Sequence, residues 1–253
     1  MLIRAVIFDL GNTLMYPVAP DLWPEVIQRG NRALMDYLCE HNIIADSDCD
    51  NFMLDFNKRL HQYYDERDKL MIETSTFQVL KELLAEKGHA DVSDAVIRES
   101  LDNHYTVTQK NWQLEDDTIA CLRTLQEQNY RLGLLSNAGD HRDVLQLVEK
   151  FNLDPYFEFI LTSAGCGYRK PHHRIFQLAL EKLNAQAEEV AMVGDTLKAD
   201  IEGANRIGMY SIWITRRTDF PPNDTLPIQP RAIIKTLGEL PVLLREVELD
   251  LRS

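Results

Sequence analysis

The sequence predicts an α/β protein in which a parallel sheet covered by helices is interrupted, after its first strand, by an inserted helical bundle. Three observations predict it. A short apolar run, Leu2 to Phe8, ends at Asp9 and the turn-forming Leu10-Gly11-Asn12. From about Asp21 to Trp112 apolar residues recur only at helical spacing. After Glu115 short apolar runs alternate with helical segments, the pattern of repeated βα units.

Taken in order, Leu2 to Phe8 reads as a central strand with a loop at its C-terminal end. Asp21 is placed to cap a helix holding Val26, Ile27, Leu34, Tyr37 and Leu38. A second helix carries Phe52, Phe56, Leu60 and Tyr63. Thr74 or Ser75 caps a third with Val79, Leu80, Leu83 and Leu84, and Asp91 or Ser93 a fourth with Val96, Ile97 and Leu101. The spacing predicts a four-helix bundle without a catalytic signature of its own. Beyond it, strands are expected at Arg131 to Leu135, Phe159 to Thr162, Val190 to Val193, Ser211 to Thr215 and Ala232 to Ile234. Helices are expected at Asp117 to Gln128, Asp143 to Phe151, Arg174 to Leu183 and Asp200 to Ile207. The proline-rich stretch 216–230 reads as a surface loop. The expected domains are therefore a core of residues 1–14 and 115–253 and a helical insert of residues 15–114.

The 253 residues suffice for a sizeable core, and no apolar run approaches the roughly 20 residues that span a bilayer. The N-terminus lacks a signal peptide's basic region and cleavage site, so a cytoplasmic protein is expected. The net charge of −13 argues against nucleic acid or an anionic membrane as partner, though a local positive field can still bind a small phosphate ester. Cys39, Cys49, Cys121 and Cys166 form no C-x-x-C pair and read as free thiols. Cys166, close to Arg169 and Lys170, is the one whose pKa basic neighbours would lower.

Four segments carry the chemistry, each at the C-terminal end of an expected strand, where such sheets bind ligands. They are Phe8-Asp9-Leu10-Gly11-Asn12-Thr13-Leu14, Leu135-Ser136-Asn137, Arg169-Lys170-Pro171 and Gly194-Asp195-Thr196-Leu197-Lys198-Ala199-Asp200. Singly, each has an ordinary reading as a cap, a turn or a solvated lysine. Together they bring three carboxylates, one lysine and one hydroxyl to one rim. Converging carboxylates repel unless a cation separates them, and oxygen ligands without His or Cys suit a hard ion such as Mg²⁺. Lys170 would balance charge, and Asp9 could attack phosphorus to form an aspartyl-phosphate that water hydrolyses.

In order and residue type, these segments resemble the four motifs of the haloacid dehalogenase-like superfamily. The resemblance covers residues 1–14 and about 115–240, and implies a Rossmann-like core with a mobile cap hinged near Met15–Pro20 and Asn111–Asp116. It implies that Asp9 is the nucleophile and a magnesium ligand, and that the Gly11 carbonyl is a second ligand. Asn12 and Thr13 belong to the first motif's substrate-binding loop, Thr13 buttressing it. Ser136 and the Asn137 amide bind the phosphoryl group, Lys170 balances charge, and Asp195 and Asp200 complete the metal site.

One departure stands out. The family's phosphatases carry an acid two residues after the nucleophile, where this chain has Gly11. Such a group typically contributes about 10²–10⁴-fold. Its loss leaves open a slow phosphatase of alkyl esters, or an acid supplied by the cap, with His61, Asp65 and Glu66 first in line. It also leaves open a 2-haloacid dehalogenase, a phosphonate-cleaving enzyme that would need a cap lysine (Lys58, Lys69 or Lys81), or a non-catalytic protein of the same fold. The intact Gly-Asp-x-x-x-x-Asp pattern favours a magnesium-dependent hydrolase of a small phosphate ester. The stretch Asp65 to Thr76 is expected to be the specificity loop, with Arg67 and Lys69 either solvated or meeting a charged substrate group. Neither the substrate nor the oligomeric state is legible.

Overall fold

The computed structural model describes residues 2–217 and 228–250. The proline-rich loop expected at 216–230 lies for the most part outside them. Six strands form one parallel sheet: β1 (Ala5–Phe8), β4 (Arg131–Ser136), β5 (Phe159–Thr162), β6 (Val190–Gly194), β7 (Tyr210–Ile214) and β8 (Ala232–Ile234), in the order β5-β4-β1-β6-β7-β8. β1 is paired on one side with β4 and on the other with β6, and all four of its residues are buried. Helices cover both faces, so the central strands are apolar throughout rather than alternating. The order reverses at β1, which opens a crevice beyond the C-terminal ends of β1, β4 and β6.

The four inserted helices are α1 (Trp23–Glu40), α2 (Cys49–Leu70), α3 (Thr76–Glu86) and α4 (Asp94–Thr108). They bury their own cluster, including Leu34, Leu38, Phe56, Leu80, Leu84 and Leu101. Ser75 and Ser93 cap α3 and α4, accepting from the amides of Gln78 and Val96. Asp21 caps nothing: it lies in the short 3-10 turn Pro20–Leu22, and α1 begins at Trp23 with a proline in its first turn and no side-chain cap. α1 and α4 pack closely because Gly30 leaves room for the His104 imidazole; a Cβ there would stand 2.7 Å from its Nδ1.

Two short strands escape the helical reading. β2 (Met15–Pro17) and β3 (Trp112–Leu114) pair antiparallel with each other at the base of the insert, not with the main sheet. Three residues each are too few for an alternation to show. Two further seams join the insert to the core. Residues 71–73 run beside residues 167–169, with Glu73 N–H donating to Gly167 O and Arg169 N–H to Met71 O. The helix after β3 is α5 (Thr118–Glu127), and the second seam joins α4 to the next helix, α6 (His141–Lys150), where Arg98 pairs with Asp140 at 2.6 Å and Arg142 with Asp102 at 3.0 Å.

The cysteine reading needs correction. Cys39 and Cys49 are joined as a disulfide, because the turn between α1 and α2 returns the chain and brings their Cα atoms to 6.8 Å. Cys121 and Cys166 are free. Burial pushes the Cys166 thiol up, not down, since its basic neighbours are paired elsewhere. No helix among the described residues is long and apolar enough to cross a membrane.

Candidate active site

Asp9 follows β1 directly, and its amide is tied to Val193 O across the sheet at 2.9 Å. The chain then folds back on itself. The amides of Leu14 and Met15 both reach Leu10 O, and Asn12, at φ 56°, donates its N–H to Met15 O. Asparagine tolerates this left-handed backbone better than most residues. The turn fixes the Asp9 carboxylate at the sheet's rim, 8% exposed.

Lys170 is buried, and its ammonium donates to Asp9 Oδ1 at 2.6 Å and to Leu135 O at 2.8 Å. It also lies 2.6 Å from Asp200 Oδ1. Burial opposes the charge on this lysine, but Asp200 and Asp9 outweigh it and raise its pKa above the ordinary value. The Asn137 side chain holds Lys170 from behind, donating to its carbonyl at 3.0 Å and accepting from its amide at 2.8 Å. In this structure Asn137 therefore braces the lysine as well as lining the cavity.

Asp195 follows β6, and Asp200 lies on a π-helical turn, Leu197–Glu202. Such turns are rare and concentrate at functional sites. The Thr196 amide donates to Asp200 Oδ2 at 3.0 Å, and Asn12 bonds the Asp195 carboxyl. Gly194 makes the approach possible, since a Cβ there would stand 2.3 Å from Asp200 Cγ. Carboxylate oxygens of Asp9, Asp195 and Asp200 all lie within 4.8 Å of one another. Burial and then the Asp9 charge push Asp195 up to about 6. Burial, with repulsion from Asp9 and Asp195 working against Lys170, pushes Asp200 up to about 7. Buried Asp200 Oδ1, despite its close ionic contact with Lys170, has no aligned hydrogen-bond donor among the described residues. Three crowded carboxylates offset by a single lysine are the donor set a hard cation fits.

A cavity of about 460 Å³ opens above this rim, lined by Asp9, Gly11, Asn12, Ser136, Asn137, Lys170, Asp195 and Asp200 among others. Of the residues expected there, Thr13 alone stands apart. It is fully buried beneath the turn, does not line the cavity, and its hydroxyl has no hydrogen-bond partner. It supports the loop by packing.

The expected substitutes for the missing acid are not at the cavity. His61, Asp65 and Glu66 are exposed on α2, which runs on to Leu70, so the true loop is only residues 71–75. Arg67 turns toward Glu73 at 3.7 Å and stacks on Tyr64, and Lys69 is exposed. The titratable groups that do line the cavity were missed: His104 from α4 and Asp143 from α6. Only the packing of those two helices brings them together. Burial pushes His104 down to about 4, so it is neutral at physiological pH. Burial pushes Asp143 up to about 7, against a 2.8 Å bond from Gln109. Glu73 was missed too. It is buried and satisfied by Arg169, by Ser163 Oγ at 2.7 Å and by Tyr63 OH at 2.9 Å, locking the loop onto the third motif.

A parallel sheet with these side chains on its rim defines a hydrolase class, and comparison with known proteins identifies it. Residues 3–208 match the family described as haloacid dehalogenase-like hydrolase, and the chain belongs to that family. It is 28% identical over 242 residues to a ribulose-1,5-bisphosphate 5-phosphatase of Halopiger xanaduensis, covering 93% of this chain and 97% of that one. It is 38% identical over 89 residues to a glyceraldehyde 3-phosphate phosphatase of Pyrococcus abyssi, a match spanning 35% of this chain and only 37% of that protein. Among solved structures, a 2-haloacid dehalogenase of Pseudomonas syringae pv. Tomato superposes with a TM-score of 0.67 at 25% identity, over 97% of this chain and 100% of that one.

Proposed function

We propose that this hydrolase is a magnesium-dependent phosphatase of small phosphate esters, with Asp9 as nucleophile and residues 15–114 as a cap over the site. The observation that carries the reading is the Asp9 carboxylate, held by Lys170 at 2.6 Å and facing Asp195 and Asp200 across a gap of ionic size. The relatives named as phosphatases support it.

Asp9, the Gly11 carbonyl, Asp195 and Asp200 would hold the ion, which supplies positive charge to the phosphoryl oxygens when bound. Ser136 and the Asn137 amide bind the remaining oxygens. Lys170 aims the Asp9 carboxylate and restrains its charge. A carboxylate oxygen attacks phosphorus, the ester P–O bond breaks, and the leaving oxygen departs with the bonding pair. Water then attacks the aspartyl-phosphate, releasing inorganic phosphate and regenerating the carboxylate. Gly11 has no proton to give, so the leaving oxygen takes one from water.

The test is hydrolysis of 4-nitrophenyl phosphate with Mg²⁺, with EDTA, and by Asp9→Asn. Turnover with Mg²⁺ alone supports the reading; full turnover by the variant would sink it. A 2-haloacid dehalogenase is the second reading, favoured by the missing acid and the structural likeness in Pseudomonas syringae. Displacing halide from carbon has no need of the acids at 195 and 200. Halide release from 2-haloacids in EDTA would favour it instead.

A further inference from the structure

The cavity above Asp9 has a second half that the chemistry proposed above does not use. In the family's phosphatases an acid occupies the position of Gly11; here a Cβ added to Gly11 would meet the Trp112 ring at 3.5 Å. Trp112 comes from β3, one of the two strands at the base of the insert, and its ring packs edge-on against Trp23 with centroids 5.4 Å apart. Ile27 and Tyr105 from α1 and α4, and Val144 and Leu147 from α6, continue the wall.

The charges in this half are as telling as its apolar surface. Two cations line the whole cavity among the described residues, Lys170 and Arg169. Lys170 is committed to Asp9 and Asp200, and Arg169 to the buried Glu73. His104 is neutral, as burial keeps it from taking a proton. The wall's one carboxyl is Asp143, with Asp140 and Asp102 near it and Gln109 bonded to it, and burial keeps the Tyr105 phenol protonated. A second phosphate or a carboxylate on the substrate would lose its water here and meet no free cation. An aromatic ring would meet two indoles and a phenol in the edge and stacked arrangements that rings favour.

We propose that this half selects phosphomonoesters whose leaving group is an uncharged aromatic ring. The proposal rests on the phosphatase reading and deepens it. It also explains how an enzyme without an acid beside its nucleophile can work, because an aryloxide leaves without prior protonation far more readily than an alkoxide. The Trp112–Trp23 pair stands where the acid would have reached and binds the kind of group that does not need it.

The test must separate ring recognition from leaving-group acidity. Benzyl phosphate and glyceraldehyde 3-phosphate both release an alkyl oxygen, and only the first carries a ring. Phenyl and 3-carboxyphenyl phosphate release oxygens of similar acidity and differ in charge. With the Mg²⁺-loaded full chain, kcat/KM should favour benzyl over glyceraldehyde 3-phosphate, and phenyl over 3-carboxyphenyl phosphate, each by about tenfold or more. Trp23→Ala should lose most of the benzyl preference through KM. Ile27→Arg, at a half-exposed position, should reverse the phenyl to carboxyphenyl preference and serves as the second variant if Trp23→Ala fails to fold. Binding of benzylphosphonate against phosphonoacetate, measured by calorimetry, should show the same order without turnover. Equal or reversed preferences in the wild type would overturn the inference while leaving a phosphatase. No turnover of any ester, 4-nitrophenyl phosphate included, would overturn the phosphatase reading and the inference together.

Discussion

The charged rim of the sheet and the apolar wall opposite it share one cavity but are assembled in different ways. The groups on the rim come from strand ends or from the segments that follow them, within four short stretches of core sequence. The wall is drawn from β3, α1, α4 and α6, elements scattered from Trp23 to Leu147, each giving between one and three side chains. The rim holds its ionisable groups by mutual charge. The wall holds its own by burial, which keeps His104 neutral, the Tyr105 phenol protonated and Asp143 protonated to about 7. On the proposed reading the rim reacts at phosphorus and the wall chooses what departs. Glu73 lies at their seam, reaching Arg169 and Ser163 in the core from the loop that ends α2.

The comparison is tested most severely at the rim. Asp9→Asn should lower turnover of every ester by at least about 10³-fold, because it removes the proposed nucleophile. It should keep the preference for benzylphosphonate over phosphonoacetate, since the wall is untouched. Loss of both properties would mean that the two halves are not separable.

The seam comes next. Glu73→Gln leaves the part-buried Arg169 without its main counter-charge, with only Asp68 at 4.0 Å to compensate, a loss of about 2–3 kcal/mol, expected as a fall of about 5–10 °C in melting temperature. An unchanged melt would show that the insert and core are not joined through this residue. Gly194→Ala should cost less, about 1–3 kcal/mol of strain, as Asp200 gives way to the new methyl group. Its signature is weaker affinity for Mg²⁺ with the preference among esters preserved, read by activity against metal concentration.

The smallest effect belongs to the wall. Folded Asp143 keeps its proton to about 7, whereas its ordinary value is 3.8. The unfolded chain therefore ionises first, and stability is lost as pH rises between those values. Asp143→Asn should match the wild type below about pH 4 and exceed it by about 1–2 kcal/mol at about pH 8, allowing for solvent in the cavity. Urea melts at both pH values decide it; a gain confined to acid would reverse the assigned sign.

Gly11 tests the boundary between the halves. Its backbone would accept a side chain: the left-handed residue of the turn is Asn12, and a Cβ at Gly11 meets only ordinary contact with Trp112. Its place in the motif was legible, whereas its neighbour, a hundred residues away, was not.

By itself the sequence determined the class and the rim. Parallel strands buried on both faces must read as apolar runs, and a residue that ends such a run is delivered to the rim by the strand itself. Asp9, Ser136 and Asp195 were legible for that reason, as were β5 and β8 to the residue, whereas Lys170 and Asp200, eight and six residues beyond their strands, were legible from their motifs. Only the tertiary structure decided the rest. An apolar residue on a helix looks the same whether it faces a core or a cavity, so Trp23 and Ile27 carried no mark. The pairing of β2 with β3, the disulfide, the burial of Glu73 and the protonation of Asp143 each depend on partners distant in sequence or on exclusion of water, and neither is a property of a local segment.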